Sequence, residues 1–466
     1  MMSESPIRKP LILGKKSYHD LTKDVYSPVE TKAGKLWWIS FIIAITAMIW
    51  GGVCIFYTVG KGIGTWGLNR TINWAWDITN FVWWVGIGHA GTLISAVLLL
   101  FRQKWRLSIN RSAEAMTIFA VMQASIFPII HMGRPWNSYW VLPIPNKFGT
   151  FWPNFNSPLL WDVFAISTYF SVSTIFWFLG LIPDFAMIRD RSVKPLQKKI
   201  YRILSFGWGG KAKQWKNFEE VSLILSGICT PLVFSVHTIV SFDFATSVIK
   251  GWHSTIFPPY FVAGAIFSGF AMVQTLLGIA RKVLHLEDYI TQKHVENMNM
   301  VIMGTCGIVA IAYISEFILA WYSGSPFEDF TYFSPGASIG PFWWAFWILI
   351  ICNVLIPQAL WFKRIRKSFL WSFVISIFIN IGMWFERFDI IVLNLSHDYL
   401  PSSWTGFLPS FVDIGIFMGT MGFFFVLYLL YGITFPVIAQ SELKTILKSS
   451  NEKYRRKQVI SNELDE

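Results

Sequence analysis

Charge is what this chain has least of. Asp, Glu, Lys and Arg make up 14% of its 466 residues, against roughly 25% in a soluble domain, and that shortage excludes an ordinary water-soluble body. Cysteine is scarce too. The four (Cys54, Cys229, Cys306 and Cys352) lie in four different apolar stretches, and no C-x-x-C or C-x-x-C-H occurs. Neither an iron–sulfur cluster nor a covalently attached haem is therefore written here, and the cysteines read as small core residues. No internal repeat or low-complexity segment stands out. Residues 1–36 are polar without an apolar core, so no cleavable signal is expected ahead of the first apolar stretch.

What the chain has in excess is apolar and aromatic surface. Hydrophobic residues reach 54% and aromatics 18%, with 25 Trp, and the mean hydropathy is +0.47. Trp and Tyr gather at membrane interfaces, where an amphipathic ring sits at headgroup level. A membrane span needs about 20 mostly apolar residues, and ten stretches qualify: 37–59, 78–101, 112–131, 158–182, 221–243, 256–280, 298–322, 341–362, 368–385 and 410–434. The expected fold is an all-α integral membrane protein of ten transmembrane helices.

The formal net charge of +12 is a matter of topology. All but six of the 39 Lys and Arg fall in the two tails and in the segments after the second, fourth, sixth and eighth stretches. The six others are Lys61, Arg70, Arg134, Lys147, Lys250 and Arg387. The positive-inside rule then puts both termini in the cytoplasm, and no nucleic-acid partner is implied. The tails, 1–36 and 435–466, read as mobile or docked on partners. Two further segments are longer than connection requires. The basic one, 183–220, reads as lying on the surface near anionic lipid. The outer one, 132–157, is rich in Pro, Trp and Asn; exposed aromatics of this kind favour burial against a protein partner, with a self-packed interfacial loop as the alternative.

Four ionisable residues sit at the outer ends of four successive stretches. Asp77 enters the second, His131 leaves the third, Asp162 lies just inside the fourth and Asp243 leaves the fifth. Ionisable groups at membrane depth are costly and mark functional sites. Ser157 and Pro158 already supply a helix cap and a first-turn proline, so Asp162, about 6 Å further along the axis, is not the cap; its bland alternative is a first-turn carboxylate favoured by the helix dipole. Asp243 opposes the dipole unless the helix ends early and leaves it in a loop. His131 suits a helix C-terminus as a cation, and Asp77 reads equally as an N-cap. Arg134 is a counter-ion to this group or an interfacial anchor.

Deeper lie His89, about 18 Å below Asp77, and His237, about 9 Å from Asp243, at 1.5 Å per residue. Glu114 begins the third stretch and Glu316 lies in the outer part of the seventh. Such groups relay protons or make interhelical hydrogen bonds. The outer acids of the last two stretches, Glu386, Asp389 and Asp413, read as an interfacial cluster.

Oxidising a quinol removes two electrons and two protons. The protons need a base within roughly 2.6–3.2 Å whose pKa is tuned towards the working pH, and a desolvated carboxyl together with an imidazole brackets that range. The chain carries no electron carrier, so a metal-bearing partner on the outer face is implied.

Five runs carry a family resemblance. They are WAWDITNFVWWVGIGHAGTLISAVLLLFRQKWR, AEAMTIFAV, HMGRPW, SPLLWDVFAISTYF and SFDFATSVIKGWHSTIFPPYFVAGAIFSG. In this order they resemble the polysulfide-reductase (NrfD-like) membrane subunits, and among these most of all the C subunit of alternative complex III, a bacterial quinol-oxidising complex. The resemblance covers the whole set of spans and is strongest over 66–280. It implies a membrane domain over 37–434 with two four-helix bundles (78–243 and 256–385) and peripheral first and last helices, in the bacterial inner membrane. A quinol, taken as menaquinol, would bind at the outer face of the first bundle at Asp77, His131, Asp162, Asp243 and Arg134, with His131 and Asp162 catalytic. Protons would pass through the bundle by way of His89, Glu114, His237 and Glu316. The implied partners are a periplasmic iron–sulfur protein, multihaem cytochromes c and a second NrfD-like membrane subunit.

Two rivals remain to be weighed. A proton-coupled secondary transporter or channel without redox role also uses intramembrane acids, but calls for broken helices at the midplane of two matching halves; here the prolines fall mostly at span ends. A haem b cytochrome needs His pairs at equal depth on facing helices, and the depths of His89 and His237, counted from their helix ends, do not match. The preferred reading is the quinol-oxidising subunit.

Overall fold

A backbone in lipid has to satisfy its own hydrogen bonds, so apolar runs of this length fold as helices. The computed structural model describes residues 11–14, 16–142, 158–333 and 342–447; the expected loop 132–157 therefore lies outside the described residues from 143 onward, as do the two chain ends. Ten helices are long and apolar enough to cross a membrane: Lys35–Lys61, Trp76–Leu100, Asn110–His131, Pro158–Arg191, Ala212–Ala245, Phe257–Val283, Gln292–Ser323, Trp343–Trp361, Phe369–Ser396 and Phe411–Thr434. They are called spans 1 to 10 below.

All ten expected spans are present; span 5 begins early, at Ala212 inside the segment expected to lie on the surface, and two others run well past their expected ends. Span 4 continues through Pro183 to Arg191. Span 9 passes through a π-helical turn, Asp389–Leu393, to Ser396. In both places a proline or a charged cluster imitates a helix end, while neighbouring helices supply the packing that carries the backbone on. Pro183 and Pro231 lie inside spans 4 and 5, yet both helices are unbroken.

Span 2 is the hub. Every residue from Asp77 to Thr92 is buried, as expected of a helix apolar all round and enclosed by others. It packs on spans 3, 6 and 9. Without a hydrophobic drive between helices in lipid, close approach depends on small residues: Gly91 lies against Thr117 and Ala113 of span 3, and Gly269 of span 6 lies against Ala90. Spans 4 and 5 pack together and join this body through contacts of span 4 on span 3 and span 5 on span 6; spans 7 and 9 flank span 6, and span 8 packs on span 9.

Spans 1 and 10 pack on each other along a glycine seam. A Cβ on Gly51 would run into Gly419, and one on Gly415 into Cys54. At the basic end, the described part of the N-terminal tail, expected to be mobile or docked on partners, is instead folded onto its own chain. A helix at Tyr18–Glu30, opened by a Ser17–Asp20 capping box, buries Leu21, Val25 and Tyr26. Gln440 from the other end of the chain donates to Thr22 Oγ1 at 2.7 Å.

The seam sets a packing test. Gly419→Leu forces span 10 off span 1, an overpacking cost of about 1–3 kcal/mol, and should lower the melting temperature of the detergent-solubilised protein. Gly52→Leu, where an added Cβ meets nothing within 4 Å, should leave it unchanged.

Candidate functional site

The four outer candidates form two pairs. His131 closes span 3, and its Nδ1 meets Asp77 Oδ2. The N-cap of span 2 is Ala75, which has no side-chain cap, so Asp77 is a first-turn residue: its Oδ1 accepts the Ala75 N–H at 3.3 Å and its other oxygen holds the imidazole. A carboxylate on one ring nitrogen fixes the tautomer and aims the other nitrogen outward. The His131 side chain keeps 19% exposure while Asp77 is buried. The ring stands 6.3 Å from Trp66 and 6.4 Å from Trp74.

Asp162 lies in the first turns of span 4, only 2% exposed, and neither carboxyl oxygen finds a donor among the described residues. It faces Asp243 side chain to side chain. Asp243 lies within span 5, two residues before its end at Ala245, so the loop alternative does not hold. Two carboxyls facing each other out of water can hydrogen-bond only when one of them carries a proton. The Ser157 cap lies outside the described residues.

Aromatic rings run from His131 towards the helix turn that carries Asp243. Trp74 is 6.4 Å from the His131 ring and 6.3 Å from Phe244, the residue after Asp243; Trp252 packs on both Trp74 (5.9 Å) and Phe244 (4.9 Å). Arg134 stands apart. It is exposed and pairs with none of the four acids and bases among the described residues.

Below the pairs, His89 and His237 touch, with ring centroids 4.2 Å apart, and none of their four nitrogens has a hydrogen-bond partner among the described residues. The depths counted from helix ends were misleading because the ends of spans 2 and 5 are staggered. The rings are nonetheless too close to share an iron: at about 2 Å per metal–nitrogen bond, two axial imidazoles would stand roughly 6 Å apart. A hydroxyl ladder leads from His89 towards the basic end. Tyr169 lies 6.3 Å from the His89 ring, donates to the Gly88 carbonyl at 2.9 Å and is 2.9 Å from Thr92 Oγ1, which is 3.3 Å from Ser173 Oγ.

At that end Glu114 is buried in an ion-paired group. Arg111 Nη1 bonds Glu114 at 2.9 Å, its Nε stands 3.7 Å from Asp184, and its Nη2 donates to the Gly180 carbonyl at 2.6 Å. Tyr26 of the N-terminal helix reaches Asp184 at 3.4 Å. Asp184 escaped sequence reasoning because Pro183 suggested that the span had ended.

Glu316 also has company that the sequence placed elsewhere. Glu386 and Asp389, expected at the interface, are buried inside span 9 beside Arg387, because that helix runs on to Ser396. Glu386 is held by Arg387 and by the Tyr313 hydroxyl. Asp413, the third of that expected cluster, instead caps span 10 with Ser410 and accepts the Gly67 N–H at 2.8 Å.

Residues 65–395 match the family described as polysulphide reductase, NrfD. The chain is 23% identical over 266 residues to a putative membrane subunit of the dimethyl sulfoxide reductase of Halobacterium salinarum, covering 57% of this chain and 55% of that one; the chain thus spans little more than half of that relative. It is 23% identical over 327 residues to a subunit of the selenate reductase of Mesobacillus selenatarsenatis, covering 68% and 73% of the two chains. It is 19% identical over 354 residues to the Hdr-like menaquinol oxidoreductase integral membrane subunit of Archaeoglobus fulgidus, covering 74% and 77%.

The Arg111 group yields a stability test. Arg111→Met strands two buried carboxylates, at a cost of about 3–5 kcal/mol, and should sharply lower the melting temperature. Adding Glu114→Gln and Asp184→Asn removes the stranded charges and should recover most of the loss; an equal loss in both proteins would assign the effect to packing.

Proposed function

The chain belongs to the polysulphide reductase NrfD family, and from that premise we propose that it is the quinol-oxidising membrane subunit of a respiratory electron-transfer complex. The observation that carries the reading is an imidazole–carboxylate pair and a pair of facing carboxyls at one end of spans 2–5, with Trp74 between the His131 ring and Phe244, the residue after Asp243. The menaquinol named in the archaeal relative's description supports a quinol, menaquinol in the first instance, as substrate.

Oxidation takes the quinol to the quinone, two protons and two electrons. His131, held at Nδ1 by Asp77, offers Nε2 to one quinol hydroxyl. Asp162, sharing a proton with Asp243, takes the second proton through that pair. Both protons leave at the outer face, and Asp77 and Asp243 tune the two acceptors. The electrons pass to an iron–sulfur centre in a partner docked on the same face. Trp136, 61% exposed in the segment after span 3, supports a docking surface there. A complex of the alternative complex III kind would add multihaem cytochromes c and a second NrfD-like subunit, in the bacterial inner membrane.

In the assembled complex, Asp162→Asn keeps the shape and removes the base. Quinol oxidation should fall by about 10²–10⁴-fold, the range for a lost general base. Near-normal turnover with assembly intact would end the role of Asp162 and turn the search to His131 and Asp243. Asp77→Asn removes the carboxylate that orients and tunes His131, and the expected fall is about 10–100-fold, as for other partners that orient an imidazole. The same steady-state assay reads both.

A further inference from the structure

Between spans 2, 6, 9 and 10 lies a cavity of about 1090 Å³, and none of the four outer acids and bases lines it. Its walls are chiefly aromatic, with Trp76 and Trp83 of span 2, Trp384 and Phe388 of span 9, and Phe417 and Phe425 of span 10. Ile381 (41%) and Phe425 (38%) on these walls are exposed, so the cavity opens between spans 9 and 10 towards lipid. Its upper rim is at Gly67 and Trp76, the chain neighbours of the Trp66 and Asp77 that stand around His131. A cleft of this size, lined by rings with few polar groups, has the make-up of a small-molecule site.

One polar side chain on its wall is left incomplete. Asn380 of span 9 lines the cavity and is only 7% exposed. Its Nδ2 donates to the Ser376 carbonyl at 2.8 Å, which fixes the amide, since the flipped form would set oxygen against oxygen. Its Oδ1 has no donor among the described residues, a costly state in a membrane interior. Hydrogens nearby are already spent. Thr275 Oγ1 donates to the Ala271 carbonyl at 2.9 Å, Trp83 Nε1 to the Asn380 carbonyl at 3.2 Å, and Trp384 Nε1 to Asn80 Oδ1 at 2.8 Å. The missing donor therefore has to come from a ligand. Water fits poorly, because it settles where two to four polar partners meet. A phospholipid fits poorly too. Asn380 stands eleven and sixteen residues from the ends of span 9, about 17 and 24 Å along the axis, far from headgroup level, and an acyl chain carries no donor. A ring bearing a hydroxyl meets both requirements.

We propose that this cavity is a second quinol site, one that holds the substrate without oxidising it. The proposal rests on the quinol reading for the identity of the ligand. The ring lies among Trp83, Trp384 and Phe388, offset or edge-on to them. One hydroxyl donates to Asn380 Oδ1, and the tail leaves between spans 9 and 10 into lipid. An amide oxygen accepts a hydrogen bond but takes up no proton, so the quinol stays reduced there. The site selects the reduced form, because a quinone has only acceptors and would leave Oδ1 unpaired. A cavity whose rim adjoins Asp77 thus stocks the quinol beside the residues that consume it. No sequence pattern marks Asn380, since its role depends on rings from spans 2 and 10 closing around it.

The test is the number of quinols bound per complex, from equilibrium binding of a menaquinol analogue to the delipidated intact complex, repeated with the matching quinone. Wild type should bind one quinol more than Asn380→Leu, which keeps the volume and removes the acceptor. It should hold the quinone at this site at least about tenfold more weakly. Met421→Trp, which fills the cavity from span 10 and leaves Asn380 in place, should lose the same one equivalent. Both variants should keep quinol oxidation at saturating substrate. Equal counts in wild type and both variants would overturn the site, as would equal affinity for quinol and quinone, or a phospholipid lost from the variants in place of the quinol. Failure of the quinol reading shows separately: the wild-type complex would then not oxidise quinol, whatever the count.

Discussion

An ionisable group inside a bilayer has to be paired, hydrated or protonated, and the interior of this protein is arranged around that requirement. Arg111 sits between Glu114 and Asp184, Arg387 holds Glu386, Asp77 holds His131, and Asp162 faces Asp243. The two arginine groups are balanced by opposite charge, which fixes structure. Asp77 fixes the ring of His131, and the two facing carboxyls can hydrogen-bond only when one of them carries a proton.

Satisfying these groups requires helices to approach closely, and the small residues of span 2 permit it. Gly88 and Gly91 admit the Thr117 hydroxyl, which donates to the Gly88 carbonyl at 2.6 Å. Gly86 leaves the space on which His237, Ser268 and Arg387 converge. A helix that packs on spans 3, 6 and 9 at once ties the paired acids and imidazole at its start to the rest of the membrane body. The glycine seam of spans 1 and 10 serves attachment.

Relation to the family sharpens what is general and what belongs to this chain. Relatives named as subunits of dimethyl sulfoxide, selenate and menaquinol-linked enzymes are matched at only 19–23% identity, so shared descent supports a membrane subunit of an oxidoreductase. The particular pairing of acids and imidazoles is read from this chain's own residues.

The ten spans and the four outer candidates were legible in the sequence because span length and hydropathy are one-dimensional properties, set by bilayer thickness. Asp162 was separable from a cap by counting along its helix. Which group faces which was not legible. His89 and His237 meet although counting from their helix ends put them at different depths, because the stagger between helices is a tertiary quantity. Asp184, Glu386 and Asp389 joined buried clusters because spans 4 and 9 run through a proline and a π turn that look like helix ends in one dimension. The sequence by itself determined how many times the chain crosses and which ionisable residues the crossings carry; the tertiary structure alone decided their partners, since pairing depends on helix rotation, stagger and the gaps left by glycines, none of which a local pattern encodes.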